Sequence, residues 1–516
     1  MKQKLDAVVI GAGQAGPSLA VRLAQAGKRV ALVERRGLGG TCVNDGCIPT
    51  KTLIASARAA WMARSAASYG VDVSGGVSID MKRVKARKDA VVQESRESLA
   101  SWIGSTKGLT LVSGHARFED ARTVRVGEDL FEAEQVFVNV GARAFVPDIP
   151  GLTSGPYLTN TSMMDVDELP EHLVIVGGSY VALEFAQMYR RFGARVTVLE
   201  RGPRLIARDD EDVSAEVRRV LELEGVDVRV DMKVSRVEHA AGRVVVVTDG
   251  GRVEGSHLLV AVGRVPNTDD LGIERAGIEL DARRYIRVDD ELRTNLPHVW
   301  AVGDCNGRGA FTHTSYNDYE IVAANLLDGD ARRVSDRIPI HGLFVDPPLG
   351  RVGMNEAEAR ASGRRVLVGK RPMTRVGRAR ERGETHGFIK VMVDGDTKEI
   401  LGAAILGIEG DEAVHAIADV MYARAPYTTI SRAVHTHPTV SELVPTTLQV
   451  SPLGRGILTL ARSPFGAAPS PRPVEMRNVQ HPSMPSGRRR HRAGLGSEAA
   501  RQATKNGYPY SGRCPR

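Results

Sequence analysis

A chain of 516 residues is too long for one ordinary core, so two to four domains are expected. A composition of 42% hydrophobic and 26% charged residues is that of a soluble globular protein, and no apolar run approaches the roughly 18 residues of a membrane span. The formal charge of +8 belongs to the last 66 residues, which carry 12 Lys+Arg against 2 Asp+Glu; the other 450 hold 58 basic and 60 acidic groups and give no charge signal for nucleic acid.

Lys2 and Lys4 precede an apolar run, Ala7 to Ile10, too short for the h-region of a secretory signal, so the expected location is cytoplasmic, with no membrane partner. That run opens a strand, glycine turn, helix, strand and acid. Asp6–Ile10 leads into Gly11-Ala-Gly13-Gln-Ala-Gly16, a helical stretch to Gly27, Arg29–Val33, and Glu34. Gly11 makes the tight turn, Gly13 lets backbone approach a pyrophosphate, and Gly16 allows close helix packing. Glu34 can accept hydrogen bonds from a ribose diol. A glycine turn that binds nothing is the alternative, and the completeness of the unit weighs against it.

Gly39-Gly-Thr-Cys42-Val-Asn-Asp-Gly-Cys47-Ile-Pro-Thr-Lys51 follows, before an Ala-rich helical run from Thr52 to Tyr69. Four cysteines at 42, 47, 305 and 514 are too scattered for a disulfide scaffold, so the close pair reads as redox-active or metal-binding. At the mouth of a helix, unpaired backbone N–H groups and the macrodipole favour a thiolate. Ser78 to Ile103 reads as a long polar-faced helix, Leu109–Val112 and Thr123–Val126 as short strands, and Val136-Phe-Val-Asn-Val-Gly141 as a buried strand ending in a glycine turn.

The dinucleotide unit then recurs. Leu173–Val176 leads into Gly177-Gly178-Ser179-Tyr180-Val-Ala182, a helix through Glu184 to Phe192, Arg195–Leu199, and Glu200; first glycine and acid are 23 residues apart in both copies. Glu200 favours the free 2′-hydroxyl of NADH, whereas Arg201 and Arg204 offer a clamp for a 2′-phosphate. Strands follow at Arg243–Val247 and His257–Val262, the latter ending at Gly263, and at Val299–Gly303, tipped by Asp304 where open α/β sheets make ligand contacts. From about Ile340 the pattern becomes α+β: strands at Phe388–Val393 and Ile400–Ile408, a helix from Asp411 to about Arg424, then His435-Thr-His437-Pro-Thr-Val-Ser-Glu442, whose carboxylate can orient an imidazole. Beyond Ser451 a Pro-, Arg-, Ser- and Gly-rich stretch without apolar periodicity reads as a disordered tail, expected to have arisen by extension or frame change past an ancestral stop.

A dithiol, two dinucleotide units and a His/Glu pair make an electron path if a flavin relays hydride to sulfur, which assigns FAD to the first unit and NAD(P)H to the second. On these motifs residues 1 to about 450 resemble the flavin-dependent pyridine nucleotide–disulfide oxidoreductases, the family of dihydrolipoamide dehydrogenase, glutathione reductase and mercuric reductase. The resemblance implies an α/β fold with two Rossmann-like dinucleotide-binding domains and a C-terminal α+β dimerisation domain. The expected division is 1–150 and 266–339 for FAD, with the redox disulfide in the first, 151–265 for NAD(P)H, 340–450 for dimerisation and 451–516 for the tail. It also implies a homodimer in which each site takes His437 and Glu442 from the partner chain.

By matching position, Cys42 resembles the interchange thiol and Cys47 the flavin-facing thiol. Lys51 resembles the lysine near the flavin N5, paired with Glu184. Glu34 would bind the FAD ribose, Asp304 the ribitol, and the Ala116 backbone the adenine; His437 would deprotonate Cys42, with Glu442 orienting it. Further cofactor contacts are expected at Gly40, Thr41, Gly141, Gly263 and Gly303, and no metal-ligand set is assigned. Asp45 stands where the redox motif usually has an apolar residue and is expected to raise the thiol pKa values unless a neighbour offsets it. Asn139-Val-Gly141 replaces the usual Ala-Thr-Gly.

Phe311-Thr-His-Thr-Ser-Tyr-Asn-Asp-Tyr319 and Pro347-Pro-Leu-Gly-Arg-Val-Gly353 look like the mercuric-reductase-like group that includes the reactive-chlorine-induced copper(II) reductase. The vicinal C-terminal cysteines of mercuric reductases are missing, and Cys514 stands alone in the tail. The first expectation is therefore an FAD-dependent NAD(P)H oxidoreductase that reduces a thiol-binding metal ion or small oxidant. Dihydrolipoamide dehydrogenase, or another reductase of small disulfides, is second, and a redox-sensing flavoprotein without a turnover substrate is third.

Overall fold

The computed structural model describes residues 2–240 and 242–449, so the basic tail and Cys514 lie outside the described residues. The described chain is mixed α/β, as the resemblance implies. Its first sheet runs in the order Leu109–Ser113, Val30–Glu34, Lys2–Ile10, Asp129–Val138, Thr123–Val126, Ala116–Phe118, and Val299–Ala301 adds parallel to Asp129–Val138. The two strands of the first glycine unit pair in parallel, Ala7 with Val30 and Ile10 with Val33. Their Val/Ile/Leu runs are buried, which is what a parallel sheet covered on both faces requires.

A second parallel sheet, Asp227–Arg229, Arg195–Leu199, His172–Val176 and His257–Val260, carries the second glycine unit. An antiparallel sheet of Val234–Ala240, Arg243–Thr248 and Gly251–Gly255 lies between its last two strands in sequence. The C-terminal region is a five-stranded antiparallel sheet, Ile340–Leu343, Leu349–Gly353, Ile400–Leu406, Phe388–Asp394 and Val366–Pro372, with the helices Gly410–Ala413 and His415–Tyr422.

The helix Cys47–Ser65 puts Leu53 and Ala57 into one core with Ala182, Leu183 and Ala186 of the helix Tyr180–Phe192. The helix that Cys47 opens and the helix of the second glycine unit therefore share packing, which fixes one against the other. The long helix Met81–Gly104 is capped by the Asp80 carboxylate, which accepts from the Arg83 N–H at 3.1 Å.

Candidate active site

Both glycine turns end their strands at one continuous cavity of about 2660 Å³. Gly11 takes φ +104°, and a Cβ there would meet the Asn139 carbonyl at 2.3 Å, so only glycine makes this turn. The helix Gly16–Gln25 has Ala15 at its N-cap and no local side-chain cap. Its cap comes across the sheet: the Gly16 N–H donates to Asn139 Oδ1 at 3.0 Å, and Asn139 Nδ2 donates to the Val302 carbonyl at 3.0 Å. Glu34 accepts from the Ala12 N–H and the Arg36 N–H, both at 2.8 Å, which turns its carboxylate toward the glycine turn.

The thiol loop lies directly on that turn, since a Cβ on Gly40 would meet Gly13 Cα at 2.8 Å. Cys42 sits in the short helix Gly40–Asn44, Cys47 opens the helix Cys47–Ser65, and both thiols are free. Cys47 Sγ is 3.2 Å from Thr312 Oγ1. The hydrogen bond from Cys42 pulls the Cys47 thiol down to about 6; burial opposes it, and Thr312 and Lys51 add to the lowering. The same hydrogen bond and burial push Cys42 up. One thiolate shared with one protonated thiol is the state a dithiol needs to exchange with an acceptor.

Lys51 Nζ is 2.8 Å from Glu184 Oε2 and 4.5 Å from the centre of the Phe344 ring, and Glu184 Oε1 accepts from the Phe344 N–H at 3.1 Å. Asp45 has the neighbours that the expectation allowed for. Its carboxylate is buried and accepts from Thr161 Oγ1 at 2.7 Å, with Arg36 Nη2 at 3.5 Å. The charged side chains that act on Cys47 are those of Lys51 and Glu184 instead.

At the second turn Gly177 takes φ +118° against the Ala261 carbonyl, and Gly178 packs on the Glu200 side chain. Ser179 is the N-cap of the helix Tyr180–Phe192 without a side-chain bond. Tyr180 Oη donates to Asp209 at 2.7 Å and lies 2.7 Å from His341 Nε2. Glu200 Oε1 accepts from the Gly202 N–H at 2.7 Å. Arg204 Nη2 donates to the Ala207 carbonyl, while its buried Nη1 has no partner among the described residues.

Asp304 lies 3.8 Å from Arg264 Nε; burial pushes its carboxyl up and Arg264 works against that. The same cavity is lined by Gly11, Gly13, Glu34, Gly40, Thr41, Cys42, Cys47, Lys51, Ala116, Gly141, Gly177, Gly178, Ser179, Tyr180, Glu184, Glu200, Gly263 and Asp304. Gly16 and Gly303 stand behind its wall, where a Cβ would strike the Gly11 carbonyl and the Ser315 and Asn139 side chains. His437 and Glu442 do not line it: His437 Nδ1 meets Glu442 at 2.9 Å, with the imidazole 78% exposed. Thr312, Asn139, Thr161 and Phe344 make contacts at the site that no sequence pattern announces.

Residues 5–318 match the family model of the pyridine nucleotide-disulphide oxidoreductases, and residues 341–448 that of the dimerisation domain of the same family. Similar proteins include the probable pyridine nucleotide-disulfide oxidoreductase RclA of Escherichia coli strain K12, 37% identical over 447 residues, 85% of this chain and 97% of that protein. The dihydrolipoyl dehydrogenase of Haloferax volcanii is 34% identical over 89% of this chain and 98% of its own, and the mercuric reductase of Acidithiobacillus ferrooxidans 34% identical over 81% and 77%. The solved Cu(II) complex of the HOCl-induced flavoprotein disulfide reductase RclA from Escherichia coli superposes with a TM-score of 0.80 at 36% identity, covering 86% of this chain and 99% of that one.

Proposed function

The chain belongs to the pyridine nucleotide-disulphide oxidoreductase family, and from that premise we propose that its Cys42–Cys47 pair delivers electrons to a thiol-binding metal ion such as Cu(II) or Hg(II), or to a small oxidant. The observation that carries this reading is the dithiol itself: two free thiols in the cavity that both glycine turns line, with Cys47 Sγ 3.2 Å from Thr312 Oγ1 and the hydrogen bond between the thiols lowering Cys47 and raising Cys42. The glycine cradle at Gly11, Gly13 and Gly40 fits a pyrophosphate, and Glu34 stands at its edge for a ribose. FAD, when bound there, supplies the relay between a hydride donor and sulfur. Lys51 and Glu184 form a charge pair that joins the helix of Cys47 to the helix of the second turn, and Asp304 and the Ala116 backbone line the same cavity for the first dinucleotide.

The overall balance is NAD(P)H, a proton and the disulfide giving NAD(P)⁺ and the dithiol. The dithiol then reduces two Cu(II) to Cu(I), returning to disulfide with release of two protons. The resemblance of RclA and mercuric reductase to this chain supports a metal acceptor. The retained His437–Glu442 pair favours the second reading, a dihydrolipoamide or other small-disulfide reductase, because an oriented imidazole suits proton transfer to a leaving thiolate. In that arrangement His437 and Glu442 come from the partner of a homodimer, in keeping with the dimerisation-domain match.

We favour NADH from Glu200; the Nη1 of Arg204, without a partner among the described residues, is the observation on the side of NADPH, and the ratio of kcat/KM for the two nucleotides decides. The acceptor is tested by steady-state NADH oxidation with Cu(II), Hg(II), lipoamide and glutathione disulfide, each compared with oxygen alone. Acceleration by a metal, abolished by Cys42→Ser, is expected. No acceleration by either metal ends the metal reading, and no steady turnover with any acceptor leaves a redox sensor.

A further inference from the structure

Asp45 sits at the apex of the loop between the two reactive cysteines, where a charged residue has to be justified. Its side chain is 8% exposed. A carboxylate in that position costs free energy unless it is hydrogen-bonded. Its Oδ2 takes the Thr161 hydroxyl at 2.7 Å, and its backbone carbonyl takes Asn160 Nδ2 at 2.9 Å. Two consecutive residues of another segment therefore hold one residue of the thiol loop by both side chain and main chain. The Arg36 contact on the same oxygen is long and comes from an exposed guanidinium, so it adds little.

The segment that provides these bonds is itself rigid. Leu158 forms a parallel bridge to Leu259, with the Leu158 N–H on the Leu258 carbonyl at 2.7 Å and the Val260 N–H on the Leu158 carbonyl at 2.8 Å. Thr159 N–H donates to Ser162 Oγ, and Met163 and Met164 are buried in the core that also holds Leu53 and Ala57 of the redox helix. Residues 158–164 thus belong to the second dinucleotide sheet on one side and touch the dithiol loop on the other. Valine in its place would leave the Thr161 hydroxyl without its acceptor and the loop held by the main-chain bond from Asn160 alone.

We propose that Asp45 is a positioning residue: it fixes the Cys42–Cys47 loop to the connector at Asn160–Thr161, and the thiol–disulfide equilibrium responds to that anchor rather than to the charge of Asp45. The anchor is formed in the dithiol arrangement and, as part of the same proposal, is weaker once the Sγ–Sγ bond closes across the loop; only that difference moves the equilibrium, so losing the anchor moves the pair toward disulfide. The inference rests on the redox role proposed for the pair.

The test equilibrates the FAD-loaded full chain, Asp45→Val, Asp45→Asn and Thr161→Val in dithiothreitol redox buffers, then alkylates free thiols and counts the Cys42–Cys47 disulfide by peptide mass. Asp45→Val and Thr161→Val are each expected to shift the equilibrium toward disulfide by about fivefold or more, with no further shift when combined, because both break one hydrogen bond. Asp45→Asn keeps an acceptor for Thr161 and is expected to stay within about twofold of the unmodified chain. Asp45→Asn shifting as far as Asp45→Val would mean that charge is responsible and overturns the proposal. So does Thr161→Val without a shift, or a shift toward the dithiol. If Asp45→Val does not fold, Thr161→Val and Asp45→Asn still decide. An unmodified chain that forms no Cys42–Cys47 disulfide in oxidising buffer defeats the redox role itself, a result separable from the others.

Discussion

Two helix N-termini converge on one sulfur. Cys47 opens the helix Cys47–Ser65, and Thr312, 3.2 Å away, opens the helix Thr312–Ala323. The hydrogen bond from Cys42 and then the Thr312 hydroxyl bring the Cys47 thiol down to about 6 against burial, and a position at helix N-termini favours the same negative charge. Removing the hydroxyl by Thr312→Val should raise that value by roughly one unit, the worth of a hydrogen bond to a charged group. The rate of Cys47 alkylation in the reduced chain reads it: the unmodified rate falls as pH drops through about 6, and the variant's fall should come at higher pH. An unmoved profile removes Thr312 from the thiolate's support. Cys42, Cys47, Lys51 and Glu184 were legible in the sequence because a thirteen-residue motif and a fingerprint helix carry them. Thr312 was not, because it lies 265 residues from Cys47 and only folding joins them. For Asp45 the charge was visible, but the direction in which the carboxylate points depends on Thr161, which no local pattern links to it.

Among elements, the ends of the first sheet's strands matter most, and Asn139 joins three of them. Its N–H donates to the Ile10 carbonyl at 2.8 Å, its Oδ1 caps the helix Gly16–Gln25, and its Nδ2 holds the Val302 carbonyl just before Gly303-Asp304. A Cβ on Gly13, Gly16 or Gly303 would crowd this amide at 3.0, 3.1 and 2.8 Å. One side chain therefore sets the distance between the phosphate turn and the strand end that carries Asp304. Asn139→Leu keeps the volume but strips a donor and an acceptor, and FAD affinity should fall about tenfold. Titrating FAD into the apoprotein measures it, with NADH binding at the second turn as the internal control. An affinity within about twofold of the unmodified chain would make the amide a stabiliser of the fold alone. The sequence predicts a strand running to a turn at Gly141; the structure ends the strand at Val138, and Asn139 still donates its N–H to the neighbouring Ile10 carbonyl. The expected helix from Asp411 to about Arg424 appears as Gly410–Ala413 and His415–Tyr422, with Val414 between them at φ −68° and ψ −24° and buried in the C-terminal core, an irregularity of packing that no glycine or proline announces.

At the scale of the molecule, charge and symmetry carry what local patterns do not. Lys390, 1% exposed, lies 2.8 Å from Asp210, 2.7 Å from Asp212 and 3.2 Å from Glu356, and Asp210 also meets Arg351 at 3.0 Å. This cluster ties the helix after the second dinucleotide strand pair to the C-terminal sheet. Burial works to raise the Asp210 carboxyl, but Lys390 and Arg351 outweigh it and hold it below the usual range; for Asp212, Lys370 and Lys390 do the same. Carboxyls held low contribute stability that is full above the unfolded value of about 3.9 and fades as pH falls through the lower folded values. Lys390→Met should therefore cost about 1.5–3 kcal/mol in urea denaturation at neutral pH, because it takes one cation from Asp210, which keeps Arg351, and from Asp212, which keeps Lys370. The cost should shrink below about pH 4, as protonation relieves them; an equal loss at both pH values would assign it to packing. Symmetry yields the last prediction. His437 and Glu442 pair with each other outside the cavity that holds Cys42, and in the proposed homodimer a two-fold axis would bring each pair to the opposite chain's thiols. A chain carrying Cys42→Ser mixed with one carrying His437→Gln then forms a heterodimer with one site lacking both groups and one site intact. Separately tagged chains, purified as the heterodimer, should recover about half the disulfide-reductase activity of the unmodified protein, although each variant alone is impaired. If each chain used its own His437, neither site in that heterodimer would be whole, and activity would stay at the mean of the two variants.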